Sequence, residues 1–195
     1  IWIGTYINGL IKYNPAKKSF TQYYPDNSKN SISHVDVRSI AEDSRNNLWL
    51  ALHGAGLEKY DIDRELFYNF NNDLGKNLPG KYKEVWPFYV ISDENDIIWT
   101  ANPNGAIRYD FENNEYKIIQ NTAVNNIFLP ENTIHSILKD KFNRMWFCTN
   151  SGLGVYEDKK EKIHPITKKN GLADNIIESI IEDENGNIWA ATNKG

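Results

Sequence analysis

The sequence predicts an all-β chain made of like units, each a four-stranded antiparallel sheet, and three repeated features predict it. A tryptophan recurs at Trp2, Trp49, Trp99, Trp146 and Trp189, at spacings of 47, 50, 47 and 43 residues. Six or seven residues after each Trp stands a glycine: Gly9, Gly56, Gly105, Gly152 and Gly195. Four residues after each of the first four glycines comes Tyr13, Tyr60, Tyr109 or Tyr156. Upstream of the later Trp residues a second phrase returns as "VRSIAEDSRNNLW", "PFYVISDENDIIW", "IHSILKDKFNRMW" and "IESIIEDENGNIW". A period of this size with four short strands per copy is the signature of a β-propeller blade.

Each unit divides into four strands. Strand A is the "VRSIAE" phrase, rich in β-branched residues. The link after it begins at Asp43, Asp93, Asp140 or Asp183 and reads as a tight turn, with Asn or Gly where φ turns positive. Strand B is "LWLAL", strand C "LEKYDI" and strand D "LFYNF". Blades stack face to face, so both faces of a sheet are covered, and the apolar pattern is dense instead of alternating. Each Trp brings roughly 2–3 kcal/mol to a blade contact when fully buried. The Trp, Gly and Tyr columns recur in every copy and read as structural, because a binding site needs residues that differ between copies.

In these terms residues 1–24 are strands B to D of a first blade, and 36–71, 86–119 and 133–166 are complete blades. Residues 176–195 are strands A and B of a further one. A seven-bladed ring of such units needs about 330 residues. The expectation is about four blades of a larger, seven-bladed ring. A closed four-bladed ring would duplicate a strand B.

Composition narrows the function. Lys plus Arg total 22 against 26 Asp plus Glu, giving a net charge of −4 and a pI near 5.6. No basic run contradicts this balance, for "KKEK" at 159–162 is short and reads as a turn, so this is no nucleic-acid footprint. No stretch has the apolar length of a membrane span, and the start at Ile1 reads as a slice of a longer chain. Cys148 is the single cysteine, so no internal disulfide forms.

No catalytic constellation stands out. His34, His53, His135 and His164 lack metal-ligand spacing, and "DENGN" at 183–187 lacks the alternating carboxylates and final glutamate of an EF-hand. No G-x-S-x-G or phosphate loop is present. Glu42–Asp43 and Glu182–Asp183 recur with the repeat and belong to its turns. The expectation is therefore no catalytic residue, no metal and no cofactor. A ligand-binding ring is the better candidate. The D-to-A and B-to-C connections of a propeller emerge on one face. The positions entering strand A read Arg38, Phe88, His135 and Glu178, with Asp36, Trp86, Thr133 and Ile176 beside them. The B-to-C loops add Tyr6, His53, Asn102 and Asn150. From this ring Arg38, His53, Trp86, Phe88, Asn102, His135, Asn150 and Glu178 are the candidate ligand residues. Such a mixture of flat aromatic faces and polar forks suits a sugar. Trp86 is the one Trp outside the repeated column, and filling space under the 71–84 loop is its competing role.

The phrases "IWIGTYINGLIKY" (1–13) and "ESIIEDENGNIWAATNKG" (178–195), with "NGLADNIIESI" (170–180) and "NSISHVDVRSI" (30–40), resemble the two-component-regulator propeller repeat. Ala51 in place of the Gly of "GT", and "YKEVWPFYVIS" in place of the usual polar approach to strand A, depart from it. The resemblance implies the sensor half of a hybrid two-component system of Bacteroidetes-like bacteria. Such a domain is periplasmic, built of paired propellers and a following β-sandwich, and detects oligosaccharides from polysaccharide breakdown. A membrane span and cytoplasmic histidine-kinase, receiver and DNA-binding parts then follow. Implied partners are an oligosaccharide, the remaining blades, the β-sandwich and a second subunit in a homodimer. This segment itself would be neither an enzyme nor a nucleic-acid binder. The rival readings are a protein-interaction scaffold and a propeller lyase or hydrolase whose site is assembled from different blades.

Overall fold

A computed structural model describes residues 1–26, 28, 30–70, 86–121 and 129–195. The 71–84 loop, and with it the end of the expected 36–71 blade, lies outside the described residues. The chain falls into two compact units, Ile1–Asp96 and Ile97–Gly195.

In the first unit β1 (Trp2–Gly4), β2 (Leu10–Asn14) and β3 (Ser19–Tyr23) form a three-stranded sheet. A four-stranded antiparallel meander follows: β4 (Val37–Glu42), β5 (Asn47–Leu52), β6 (Gly56–Asp61) and β7 (Leu66–Asn69). Between these sheets sit Leu10, Val37, Leu48, Leu50, Leu52 and Tyr60, with Trp2 and Tyr23 packed against them. After them comes β8 (Tyr89–Ser92), whose Val90 amide donates to the Ser39 hydroxyl of β4.

The second unit holds β9 (Ile98–Asn102), β10 (Gly105–Asp110) and β11 (Glu115–Ile119), paired in order. Its complete four-stranded meander is β12 (Ile134–Lys139), β13 (Met145–Thr149), β14 (Gly152–Glu157) and β15 (Lys162–Ile166). A pair, β16 (Ile177–Glu182) and β17 (Ile188–Thr192), completes it. Trp146, Cys148, Leu153, Val155, Ile177 and Ile180 fill the space between the last two sheets. The fold is thus all-β with four-stranded antiparallel blades, and among the described residues helix is confined to single 3-10 turns.

The repeated columns have identifiable physical jobs. Trp49, Trp99 and Trp146 are buried and occupy equivalent strand-B positions, each opposite the third residue after its glycine, namely Lys59, Arg108 and Val155. Gly9, Gly105 and Gly152 have φ of +71°, +116° and +127°, and an added Cβ would run into the carbonyl of Tyr23, Ile119 or Ile166 at the end of strand D. Only glycine meets both demands. Asn46, Asn143 and Gly186 take the positive φ expected of Asn or Gly in the A-to-B turns, and in the third copy Asp96 takes it instead.

Those turns are organised by an aspartate. The Asp140 carboxylate accepts from the Phe142 and Arg144 amides through Oδ1, and from the Trp146 indole N–H at 2.7 Å through Oδ2. Asp43 does the same for the Arg45 and Asn47 amides and for Trp49 (2.9 Å), and Asp183 for the Asn185 and Asn187 amides and Trp189 (2.9 Å). The third copy differs, for the Trp99 indole N–H is buried and among the described residues has no hydrogen-bond partner.

Candidate functional site

At the other end of strand A the register slips, in the same place in three copies. Pairing passes from Val37↔Leu52 to Ser39↔Ala51, from Ile134↔Thr149 to Ser136↔Cys148, and from Ile177↔Thr192 to Ser179↔Ala191. The extra residues are Arg38, His135 and Glu178. A bulge leaves one residue out of the ladder and re-aims its side chain. Three residues expected to enter strand A as a variable ring are therefore the bulged ones.

In the first unit the expected residues assemble into a cluster. Asp36 lies just before β4 with its side chain only 5% exposed. Arg38 Nε sits between its two carboxylate oxygens, at 2.8 and 2.9 Å, and His53 Nδ1 is 3.5 Å from Oδ2. The peptide links tighten this, since the His53 amide donates to the Asp36 carbonyl at 3.0 Å. The guanidinium carbon of Arg38 lies 5.2 Å over the Tyr6 ring, and the His53 ring is 5.5 Å from that of Trp86. Tyr6 and Trp86 are 69% and 47% exposed. The result is a row with exposed aromatic rings at its ends and two donor side chains between them, held from below by one buried carboxylate. A charge-assisted bond fixes Arg38 before any ligand arrives, with the His53 ring alongside it. Phe88 is half-buried just ahead of β8.

The second unit holds the remaining candidates, and they do not form one cluster. His135 Nε2 is 2.9 Å from Asn150 Oδ1, so the bulge residue and the loop residue of that sheet pair as expected of a shared rim. Glu178 is exposed on β16. Asn102 requires correction as a loop residue. It ends β9 opposite Gly105, is 4% exposed, and spends its amide on the Thr100 carbonyl and hydroxyl. It occupies the column of Thr5, Thr149 and Thr192, whose hydroxyls each donate to the carbonyl of the following Gly9, Gly152 or Gly195. The loop position belongs to Pro103, whose carbonyl accepts from the Thr133 hydroxyl at 3.4 Å.

Among the described residues no group of three or more His, Cys, Asp or Glu side chains is placed to hold a metal ion. Cys148 is buried, and burial pushes its thiol up to about 12, the behaviour of an inert core residue. One charged residue was not singled out from the sequence. Glu58 on β6 is completely buried, and its signal was available: the same position in the other copies is Ile11, Ile107 and Gly154.

Four-stranded blades with fixed turns at one end and a bulge-borne variable rim at the other define the class as a β-propeller. The two component regulator propeller family matches residues 31–54, 129–151 and 171–194, in each case a strand A, its bulge and strand B. The chain is 30% identical over 182 residues to histidine kinase P4 of Formosa agariphila, covering 88% of this chain and 12% of that one. Its fold resembles the extracellular domain of a one-component system of B. thetaiotaomicron (TM-score 0.79, 22% identity, all of this chain and 25% of that one). It also resembles the extracellular domain of a hybrid two-component system of the same organism (TM-score 0.70, 21% identity, 98% and 30%). Three stretches of the chain thus match the two component regulator propeller family. It spans about an eighth of the kinase and about a quarter to a third of the extracellular domains.

Proposed function

We propose that this chain is part of the extracytoplasmic, ligand-sensing propeller of a two-component signalling protein, and that it recognises an oligosaccharide at the Tyr6–Arg38–His53–Trp86 row. The observation that carries this reading is the buried Asp36 carboxylate, which holds Arg38 outward, with His53 3.5 Å away, between two exposed rings. Buried polar groups normally turn inward to be satisfied. Here a buried anion instead fixes donors at the surface, beside flat apolar faces that stack on the C–H face of a sugar. The extracellular domains among the fold's relatives support an extracytoplasmic, periplasmic placement. A ligand that binds one packing of blades or subunits better than another shifts the population toward it, and a second subunit in a homodimer is the natural receiver of that shift.

The test is calorimetric titration of the full sensor region with a panel of oligosaccharides, together with Trp86→Ala and Tyr6→Ala variants. Removing an exposed stacking ring should weaken binding by about 1–3 kcal/mol, and the melting temperature should hold. Variants that stay folded and bind as well as wild type would place the site elsewhere.

A further inference from the structure

One residue breaks its column in a way the fold alone does not require. Two residues after each repeated glycine, strand C carries Ile11, Ile107 or Gly154 in three copies, and Glu58 in the fourth. Glu58 is fully buried, yet its oxygens are occupied. Oε1 accepts from the Ser33 amide at 3.1 Å, while Oε2 accepts from the Ser33 hydroxyl and from Asn69 Nδ2 at 3.2 Å. Burial raises its carboxyl above the usual range, against the lowering effect of those bonds. Ser33 is exposed and Asn69 half-buried, so water can take over their bonds when the carboxylate is replaced, and Ile already serves at this position in β2 and β10.

What Glu58 holds is the segment that leads into the candidate site. Ser33 is followed by His34, whose Nδ1 accepts from the Asp36 amide at 3.1 Å. The His34 ring also lies within about 3.5 Å of where a Cβ on Gly54 would stand, next to His53. Beside this segment is a cavity of about 360 Å³ lined by Pro25, Ser31, Ile32, Ser33, Glu58 and Asn69; Ile32 is anchored in the core, whereas Ser33 after it is exposed and held by Glu58. Further along, Gly9 donates to the Val35 carbonyl and Val37 donates to the Thr5 carbonyl. The Ser33 amide is thus secured by Glu58, and the Asp36 amide by His34.

We infer that Glu58 is a positioning residue for the Asp36–Arg38–His53 cluster, fixing residues 33–36 so that the buried Asp36 carboxylate meets both donors. The functional meaning rests on the binding role proposed for that cluster. Its test needs no ligand and so fails separately from that proposal.

The experiment is hydrogen exchange by mass spectrometry on the full-length protein, with thermal melts, comparing wild type with Glu58→Ile and Glu58→Gln. In Glu58→Ile the peptides spanning 31–36 should exchange roughly tenfold faster or more, a local opening. Exchange across residues 47–61 should stay slow and the melting temperature should be kept or raised. Glu58→Gln keeps an acceptor for Ser33 and should restore slow exchange at 31–36. Unchanged exchange at 31–36 in Glu58→Ile overturns the inference. So does a fall in melting temperature with faster exchange throughout β4–β7, which is the behaviour of a core strut. Failure of Glu58→Gln to slow exchange at 31–36 overturns it as well.

Discussion

The two ends of each sheet obey different rules. At the A-to-B turn, Asp43, Asp140 and Asp183 make the same bonds, two backbone amides on one oxygen and a Trp indole on the other. At the bulge end of strand A the backbone repeats just as faithfully, but the side chain it turns outward is Arg38, His135 or Glu178. Constant geometry with constant chemistry marks the framework. Constant geometry with changing chemistry marks the surface the framework exists to present. The comparison makes stability and binding separable, because the residues that dominate one lie at the opposite end from those that dominate the other.

The largest effect should come from the framework end. Trp146→Ala empties a buried site between two sheets and should cost about 3–5 kcal/mol. The same change at Trp86, which stands outside the repeated column and is 47% exposed, should cost far less. Chemical denaturation of both variants in the intact protein checks this, and equal losses would break the assignment of the column to the core.

Next in size is the turn aspartate. Asp140→Ala removes the acceptor for Trp146 and leaves a buried N–H unpaired, for about 1–3 kcal/mol. The pH dependence has a definite sign. Burial pushes the Asp140 carboxyl up, but the bonds from Trp146 and Arg144 outweigh it and hold the folded-state value below the ordinary 3.8. Its contribution is therefore present above about pH 4 and lost as pH falls through the depressed folded value. Asp43 shifts the same way against the same burial, through Asn47, Trp49 and Arg45, and Asp183 is lowered to about 2 by Asn187 and Trp189. Melts between about pH 5 and pH 2 should show a shallower acid loss in Asp140→Asn than in wild type.

A finer comparison uses the copy that lacks the indole bond. Trp146→Phe deletes a hydrogen bond to Asp140, while Trp99→Phe deletes an N–H that has no partner among the described residues. The first should cost about 1 kcal/mol more than the second, measured side by side. If they cost the same, the indole bonds are geometric coincidences of the turn.

How much of this was legible beforehand follows from the same contrast. The Trp, Gly, Tyr and Asp columns repeat, so strand order, the buried tryptophans and the positive-φ turn positions could be read by laying copies over one another. The rim was readable only as a list of positions. Nothing in spacing shows that Asp36 would be buried beneath Arg38 and His53, because it meets Arg38 only through the bulge and His53 from 17 residues away, beyond the end of the next strand. Asn102 was misplaced for a definite reason. The Trp-to-Gly distance is seven residues from Trp49 and six from Trp99, so counting back from the glycine puts Asn102 level with His53. Pairing with Gly105 puts it one step inside, in the strand. Glu58 was visible as a broken column, but its role depends on the loop that lies over it.

The smallest expected effect is also the one that isolates the rim from the framework. Glu178 is the bulged residue of β16, is exposed, and lies outside the ladder between β16 and β17. Glu178→Ala should therefore change stability by no more than about 0.5 kcal/mol, as exposed positions free of caps and buried networks do. Arg38 stands at the same bulge in its own sheet, but there the buried Asp36 depends on it. Arg38→Ala should cost more than Glu178→Ala by the penalty of leaving that carboxylate with His53 alone, and Asp36→Asn in the same chain should recover part of the loss. Denaturation of the two single variants and the Asp36→Asn/Arg38→Ala double variant decides it. If Glu178→Ala and Arg38→Ala destabilise equally, the two bulge positions are equivalent, and the Asp36 cluster is no more than another version of a common rim.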